Sequence, residues 1–374
     1  MDIKIEKPIE TYEDENDIFK YGQSIMQSYN NITEVSILKN INLSNDEKNI
    51  FLFGLFDGHN GSEISNYLSL HFSQFLSENT NFINGNYKAS LEETFINIDY
   101  SLRSNEVQLE LSKYNNQKFI KTENDIFNNF LELFNPRNLE GVNVAEFCGS
   151  CGIVILITEK SIFLANSGNS KCIPINMKNE VIKDKINKEH DINNEKEIKR
   201  LNMIYGFDND DNIKEKYYNI CPLINTRGFG DLQYKDNKMI NLEDQHILIK
   251  PDIIEIPLDD IKYLIIGNYG CFRYDNGFLS LEKFFIDKYI QNKKENIKIS
   301  DIIEDFFDEK LKEIEKNKEE DILYNNLASI IIEFKHDNNI NNKIYNEEKE
   351  DNKDKENNID KNNNSDEYEE EENL

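Results

Sequence analysis

The chain has 374 residues and a formal net charge of −28 at pH 7, with five cysteines and no tryptophan. Such an excess of carboxylates repels nucleic-acid phosphates and anionic lipid headgroups, so neither is an expected partner, whereas basic protein segments and metal cations are compatible with it. No apolar run approaches the roughly 20 residues of a membrane span, and Met1-Asp2-Ile3-Lys4 offers neither an apolar signal segment nor the glycine that N-myristoylation requires.

A soluble protein of the cytoplasm or nucleus is therefore expected, in which Cys148, Cys151, Cys172, Cys221 and Cys271 are reduced thiols. Cys148 and Cys151 form a C-x-x-C pair. No second pair completes a zinc site, so small residues entering a buried strand are the expectation. Along the chain, residues 1–16 read as an N-terminal extension and 17–335 as one folded domain. Residues 51–56 (F-L-F-G-L-F) form a short continuous apolar run, as in a strand covered on both faces, and 152–157, 263–266 and 330–334 read the same way. Residues 62–76, 90–102 and 301–314 place apolar side chains three and four apart, the spacing of amphipathic helices. The polar stretch 105–141 and the charged, Asn-rich stretch 178–195 are expected to be surface insertions. Residues 336–374 have almost no apolar side chains and end in an acidic run over 366–372. That composition predicts a disordered acidic tail, serving as a solvating segment or as an electrostatic docking segment for a basic partner. Strands occur both clustered and separated by helices, which gives an α+β class with a layered core.

Phe53-Gly54-Leu55-Phe56-Asp57-Gly58-His59-Asn60-Gly61 delivers Asp-Gly-His from a strand into a glycine turn. Further blocks follow or precede it in order: Tyr21-Gly22 with Ile25-Met26-Gln27-Ser28-Tyr29, Gly149-Ser150-Cys151-Gly152, Ala165-Asn166-Ser167-Gly168-Asn169-Ser170-Lys171, Glu189-His190, Thr226-Arg227-Gly228-Phe229-Gly230-Asp231 and Pro251-Asp252-Ile253. The strand ending at Asn268-Tyr269-Gly270 and the closing strand after Asn325 complete the series. Together these blocks resemble the type 2C, metal-dependent (PPM-type) protein serine/threonine phosphatase family over residues 17–335. The resemblance implies a four-layer sandwich, with two central antiparallel sheets flanked by helices on both faces.

Metal-assisted hydrolysis of a phosphate ester needs two divalent cations close together, and hard cations such as Mg²⁺ and Mn²⁺ need converging carboxylates. By the resemblance, Asp57 is the bridging ligand, the Gly58 carbonyl a backbone ligand, His59 the general acid if the protein is active, and Glu34 a weak first acid of the opening motif. Other family positions are degenerate. Val35 stands at the second acid of that motif, Asn30 at the phosphate-gripping arginine, Asn169 at the G-D-S aspartate, Tyr269 at the S-D-G aspartate and Asn325 at the closing aspartate. At an effective dielectric near 20, a unit charge pair at about 4 Å is worth roughly 4 kcal/mol. Losing two ligating carboxylates thus leaves the mutual repulsion of two dications largely unanswered.

These residues predict a pseudophosphatase that binds a partner protein, with a kinase or a phosphoprotein as the candidates, and that acts as regulator or scaffold without nucleic acid or membrane. No cofactor is expected, or at most a single weakly held Mg²⁺ or Mn²⁺ ion. The alternative is an active Mn²⁺/Mg²⁺-dependent protein serine/threonine phosphatase with a rebuilt site, for which Asp259, Asp260, Asp275 and Asp321 are substitute ligands. Asp57-Gly58-His59 also reads as a bare turn capping the helix near Ser62, Tyr269 as a ring filling the vacated cleft, and Arg227 with Asp231 as a buried ion pair.

Overall fold

The structure, a computed structural model, describes residues 10–27, 33–44, 48–114, 143–206, 213–235, 237–238, 244–272, 280–291, 297–317 and 326–336. Its strands are β1 (Glu10–Glu15), β2 (Phe19–Met26), β3 (Val35–Asn42), β4 (Phe51–His59), β5 (Gly149–Ile157), β6 (Ser161–Ser167), β7 (Lys171–Asn176), β8 (Phe229–Gly230), β9 (Asp252–Pro257), β10 (Ile261–Gly267) and β11 (Leu327–Phe334). One sheet runs β1-β2-β11-β10-β7 and the other β3-β4-β5-β6-β9, with β8 added to the start of β5, and every pairing within them is antiparallel.

The continuous apolar runs follow from double coverage. In β4, Phe51, Phe53 and Leu55 point into the core between the sheets, while Leu52 and Phe56 point into a second core under the helices. Alternate side chains of β5 divide the same way, Ile153, Ile155 and Ile157 inward and Val154 and Leu156 outward. In β10 and β11, Leu264, Ile266, Ile330 and Ile332 join the inter-sheet core, and Tyr263, Ile265 and Ile331 a third core.

Helices close both outer faces. α1 (Glu63–Ser77), α2 (Thr80–Ile83), α3 (Tyr87–Ser101) and α4 (Asn105–Tyr114) lie over the β4–β5 sheet, with Ile64, Leu68, Phe72, Leu91, Phe95 and Leu111 completely buried. α5 (Glu195–Tyr205) and α6 (Ile213–Ile220) follow β7, and the short α7 (Tyr269–Phe272) follows β10. α8 (Leu281–Phe285) and α9 (Ile299–Asn317) cover the other sheet through Phe285, Ile303, Phe306 and Phe307. The result is an α+β sandwich of four layers. Among the described residues no helix is long and apolar enough to cross a membrane.

Three details depart from the patterns read in the sequence. Glu10–Glu15, within the expected extension, is the edge strand of the first sheet; its mostly exposed side chains carry no apolar alternation, and backbone pairing to β2, with Glu13 bonded to Lys20 and Ser300, holds it. The first ten residues of the expected 105–141 insertion form α4, anchored by buried Val107 and Leu111. The 178–195 segment is a loop fastened inward, with Asn187 and His190 buried.

Candidate active-site cleft

The cleft lies where strand ends of the two sheets meet. It has a volume of about 250 Å³ and is lined by Glu34, Asp57, Gly58, His59, Cys151, Asn169, Pro222 through Asn225, Tyr269 and Asn326. Register places these residues. Asp57 near the end of β4 is flanked by Val35 of β3 and Cys151 of β5, and His59 stands opposite Gly149. The chain then reverses through Asn60 and Gly61, both at positive φ (57° and 135°). Asp57-Gly58-His59 is therefore the last part of a strand and not a cap of α1. The α1 N-cap is Ser62, whose side chain makes no capping bond.

The Glu34 carboxylate accepts a hydrogen bond from the Gly61 N–H at 2.6 Å, and the Glu34 carbonyl accepts from the Gly58 N–H at 3.1 Å and the Ser65 hydroxyl at 2.5 Å. One acid thus fastens the turn while facing the cleft. Val35, next to Glu34, points into the inter-sheet core at 3% exposure and is an apolar packing position.

Burial pushes the Asp57 carboxyl up to about 6, against hydrogen bonds from the Asn268 side chain and the Tyr269 backbone N–H and the pull of His59; Glu34 adds to the rise. Asn268, itself 1% exposed, also donates to the Asn326 carbonyl at 2.8 Å and accepts from the Ala328 N–H at 3.1 Å, tying the end of β10 to the start of β11. The neighbours of Asp57 are thus largely neutral amides. Its strand partner Cys151 has a thiol pushed up by burial and by the Asp57 charge, so it stays protonated and is no nucleophile. All five cysteines are free and buried.

His59 Nε2 lies 2.8 Å from Asp231 Oδ2, with Asp231 1% exposed. Burial opposes protonation of His59, but Asp231, Asp57 and Glu34 outweigh it and raise the imidazole above its ordinary value. Asp231 is held in left-handed backbone (φ 51°) directly after Gly230 of β8. That turn is pinned from α3. Asp99 accepts from the Gly230 N–H at 2.9 Å and from the buried Lys235 ammonium at 2.7 Å, and Lys235 also donates to the Gly228 carbonyl at 2.6 Å.

The expected Arg227–Asp231 pair is not formed. Arg227 turns away to Glu197 at 2.6 Å and Asp252 at 3.0 Å, because Glu197 on α5 is buried and needs cations, whereas Asp231 faces His59. Arg200 adds a second cation to Glu197 at 3.1 Å and donates to the Thr226 and His246 carbonyls, both at 3.2 Å. Asp252 lies 3.2 Å from His190, whose Nδ1 accepts from the Gly168 N–H at 3.2 Å. This network secures both the β6–β7 turn bearing Asn169 and the segment around Asn225.

Of the substitute ligands, Asp259 and Asp260 are exposed at the opposite end of β10 from the cleft and cannot reach it. Asn30, Asn325, Asp275 and Asp321, and the tail beyond 336, lie outside the described residues. Among the described residues no group of three or more His, Cys, Asp or Glu side chains could hold a metal ion. The sequence did not flag Asn268, Asn225 or the His59–Asp231 pairing. Only the last had a signal, the Gly-Asp ending of the Thr226-to-Asp231 block.

The family model "Protein phosphatase 2C" matches residues 19–114 and 105–274. "Probable protein phosphatase 2C 5" of Paramecium tetraurelia is 29% identical over 268 residues, 69% of this chain and 76% of that protein. "Probable protein phosphatase 2C 21" of Arabidopsis thaliana is 27% identical over 276 residues, 68% and 72% of the respective chains. Among solved structures, a phosphatase of Toxoplasma gondii superposes with a TM-score of 0.57 at 13% identity, covering 88% of this chain and 96% of that one. A serine-threonine phosphatase 2C of the same organism gives 0.54 at 12% identity, with coverage of 87% and 99%. At that identity the superpositions speak to the fold alone.

Two outcomes follow from these environments. Replacing Asp231 by Asn should lower the His59 titration midpoint, measured by NMR of the imidazole ring. Because the folded value is raised, His59 stabilises the native state below its unfolded value and loses that contribution as pH rises through the folded value; equal midpoints in both proteins would contradict the pairing. Asp57→Asn should stabilise the fold by up to about 3 kcal/mol at pH 8 and by nothing at pH 3, in urea unfolding, since a carboxyl raised from 3.8 to about 6 opposes folding only once it ionises. A destabilised variant at pH 8 would contradict it.

Proposed function

The chain belongs to the protein phosphatase 2C family, and from that premise we propose that its domain does not hydrolyse phosphate and works by binding a partner protein. The family is generally Mg²⁺- or Mn²⁺-dependent, and the residues present do not fit a pair of such ions. Hard dications need several converging carboxylates. Here the carboxylates lining the described cleft are Asp57 and Glu34. The observation that carries the proposal is the surroundings of Asp57. Its hydrogen-bond partners are the Asn268 amide and the Tyr269 N–H, with Tyr269 and Asn169 at family aspartate positions.

A regulator or scaffold fits this state, because the two-sheet core and both supporting ion networks are complete without the ligands. A kinase or a phosphoprotein of the cytoplasm or nucleus is the partner class. One observation favours a second reading, an active Mn²⁺- or Mg²⁺-dependent serine/threonine phosphatase with a rebuilt site. His59 keeps a 2.8 Å contact to Asp231 and a raised pKa, as a general acid would need.

The discriminating assay is release of phosphate from a phosphothreonine peptide at millimolar Mn²⁺. Release at background, unchanged by Asp57→Ala or His59→Ala, is expected. Mn²⁺-dependent turnover abolished by each substitution would instead establish the active reading.

A further inference from the structure

A second pocket lies at the far end of the sheets from Asp57. It measures about 290 Å³ and is lined by the apolar and aromatic Ile50, Tyr87 and Phe163 and by the charged Lys48, Glu159 and Lys160. Register fixes its place. β4 starts beside it at Phe51, opposite Ile157, and reaches the cleft at Asp57, opposite Cys151. The Tyr87 and Phe163 rings stand 5.7 Å apart. Glu159 accepts a hydrogen bond from the Asn49 N–H at 3.4 Å, whereas Lys160 forms no ion pair with a described residue. On a chain with a net charge of −28, an aromatic pocket with two lysines against one carboxylate runs counter to the prevailing charge.

The last strand brings the C-terminal part of the chain to this same end. β11 runs from Leu327, opposite Met26, to Phe334, opposite Phe19. The Phe19 ring packs on both Phe334 and Phe51, at 6.3 and 5.0 Å between centroids. His336 then donates to the Ile261 carbonyl at 2.6 Å, and three residues before Ile261 the Leu258 N–H donates to the Lys160 carbonyl at 2.9 Å. At about 3.5 Å per residue, the chain leaves the described domain within roughly 20 Å of Lys160. Beyond it lies Tyr368, set in the acidic run 366–372 (D-E-Y-E-E-E-E). The roughly thirty intervening residues can extend to about 100 Å, so the run reaches the pocket easily.

We propose that this pocket is the docking site of the chain's own acidic segment, the Tyr368 ring packing on Tyr87 and Phe163 and the flanking carboxylates facing Lys48 and Lys160. Aromatic rings gain from tilted and edge contacts beyond their buried area. Exposed ion pairs contribute little singly and are screened by salt. A free acidic peptide would therefore bind weakly, whereas a tether supplies an effective concentration on the order of millimolar, which favours the chain's own segment over an acidic partner. The inference stands apart from the non-hydrolytic reading, because the pocket and the cleft share no lining residue.

The test is paramagnetic broadening of amide NMR signals in the full chain, with a nitroxide attached at Ser365→Cys; the five native cysteines are buried. The signals of Gly85, Lys160 and Ser161 should broaden at least threefold more than those of Gly58 and Gly149 at the cleft. Lys48→Glu combined with Lys160→Glu, both on exposed side chains, should remove that excess, and Tyr368→Ala should at least halve it. Uniform broadening, or an excess that either change leaves intact, would overturn the proposal. So would equal broadening of an isotope-labelled chain by a separate spin-labelled copy, which would put the segment on a second molecule.

Discussion

Asp57 sits where strand ends of both sheets converge, and its carboxylate is met by the Asn268 amide and the Tyr269 backbone N–H. A partly buried carboxylate is costly unless a cation or enough donors hold it, and here the hydrogen-bond donors are neutral. The pKa rise to about 6 expresses that cost. The remaining cleft residues follow from this environment. Asn268 spends its side chain joining β10 to β11, Glu34 fastens the Gly61 turn, and Cys151 stays a neutral thiol.

The scaffold survives because its stabilising charges lie elsewhere. Glu197 is neutralised by Arg200 and Arg227, Asp252 by Arg227, and Asp99 by Lys235. Breaking a buried pair such as those of Glu197 and Asp99 typically costs about 3–5 kcal/mol, so these partners are constrained by folding whatever the domain does. The ligand positions have no such duty. A tyrosine at 269 and an asparagine at 169 leave the cores and the ion networks intact, and Val35 joins the inter-sheet packing. His59 is intermediate, since Asp231 is turned toward it by a backbone geometry that Asp99 supports. Because the folding charges lie apart from the cleft charges, the fold does not depend on what the cleft holds, as the non-hydrolytic reading proposed above requires.

Much of the fold was legible because β4, β5, β10 and β11 each bury both faces and so appear as unbroken apolar runs, and because α1, α3 and α9 carry helical spacing. β1 was hidden, as its side chains hold no apolar pattern and it is set by backbone pairing to β2 and by polar contacts of Thr11 and Glu13 with distant residues. The Asp57 and His59 positions came from a motif, but the motif is a strand end, and its reading as a helix cap failed because Asn60 and Gly61, not the Asp-Gly-His residues, make the turn. Partner choice among buried charges was not legible. Arg227 and Asp231 are four residues apart, yet their partners come from α5, β9 and β4, and only tertiary packing brings those together.

Calorimetric titration of Mn²⁺ into the full chain, beside Asp57→Ala, tests most directly whether the cleft has lost its dications. The arrangement of Asp57, Tyr269 and Asn169 predicts no tight binding and the same trace in both proteins. Two sites of micromolar affinity, absent from the variant, would mean that other side chains replace the missing carboxylates and would contradict the account.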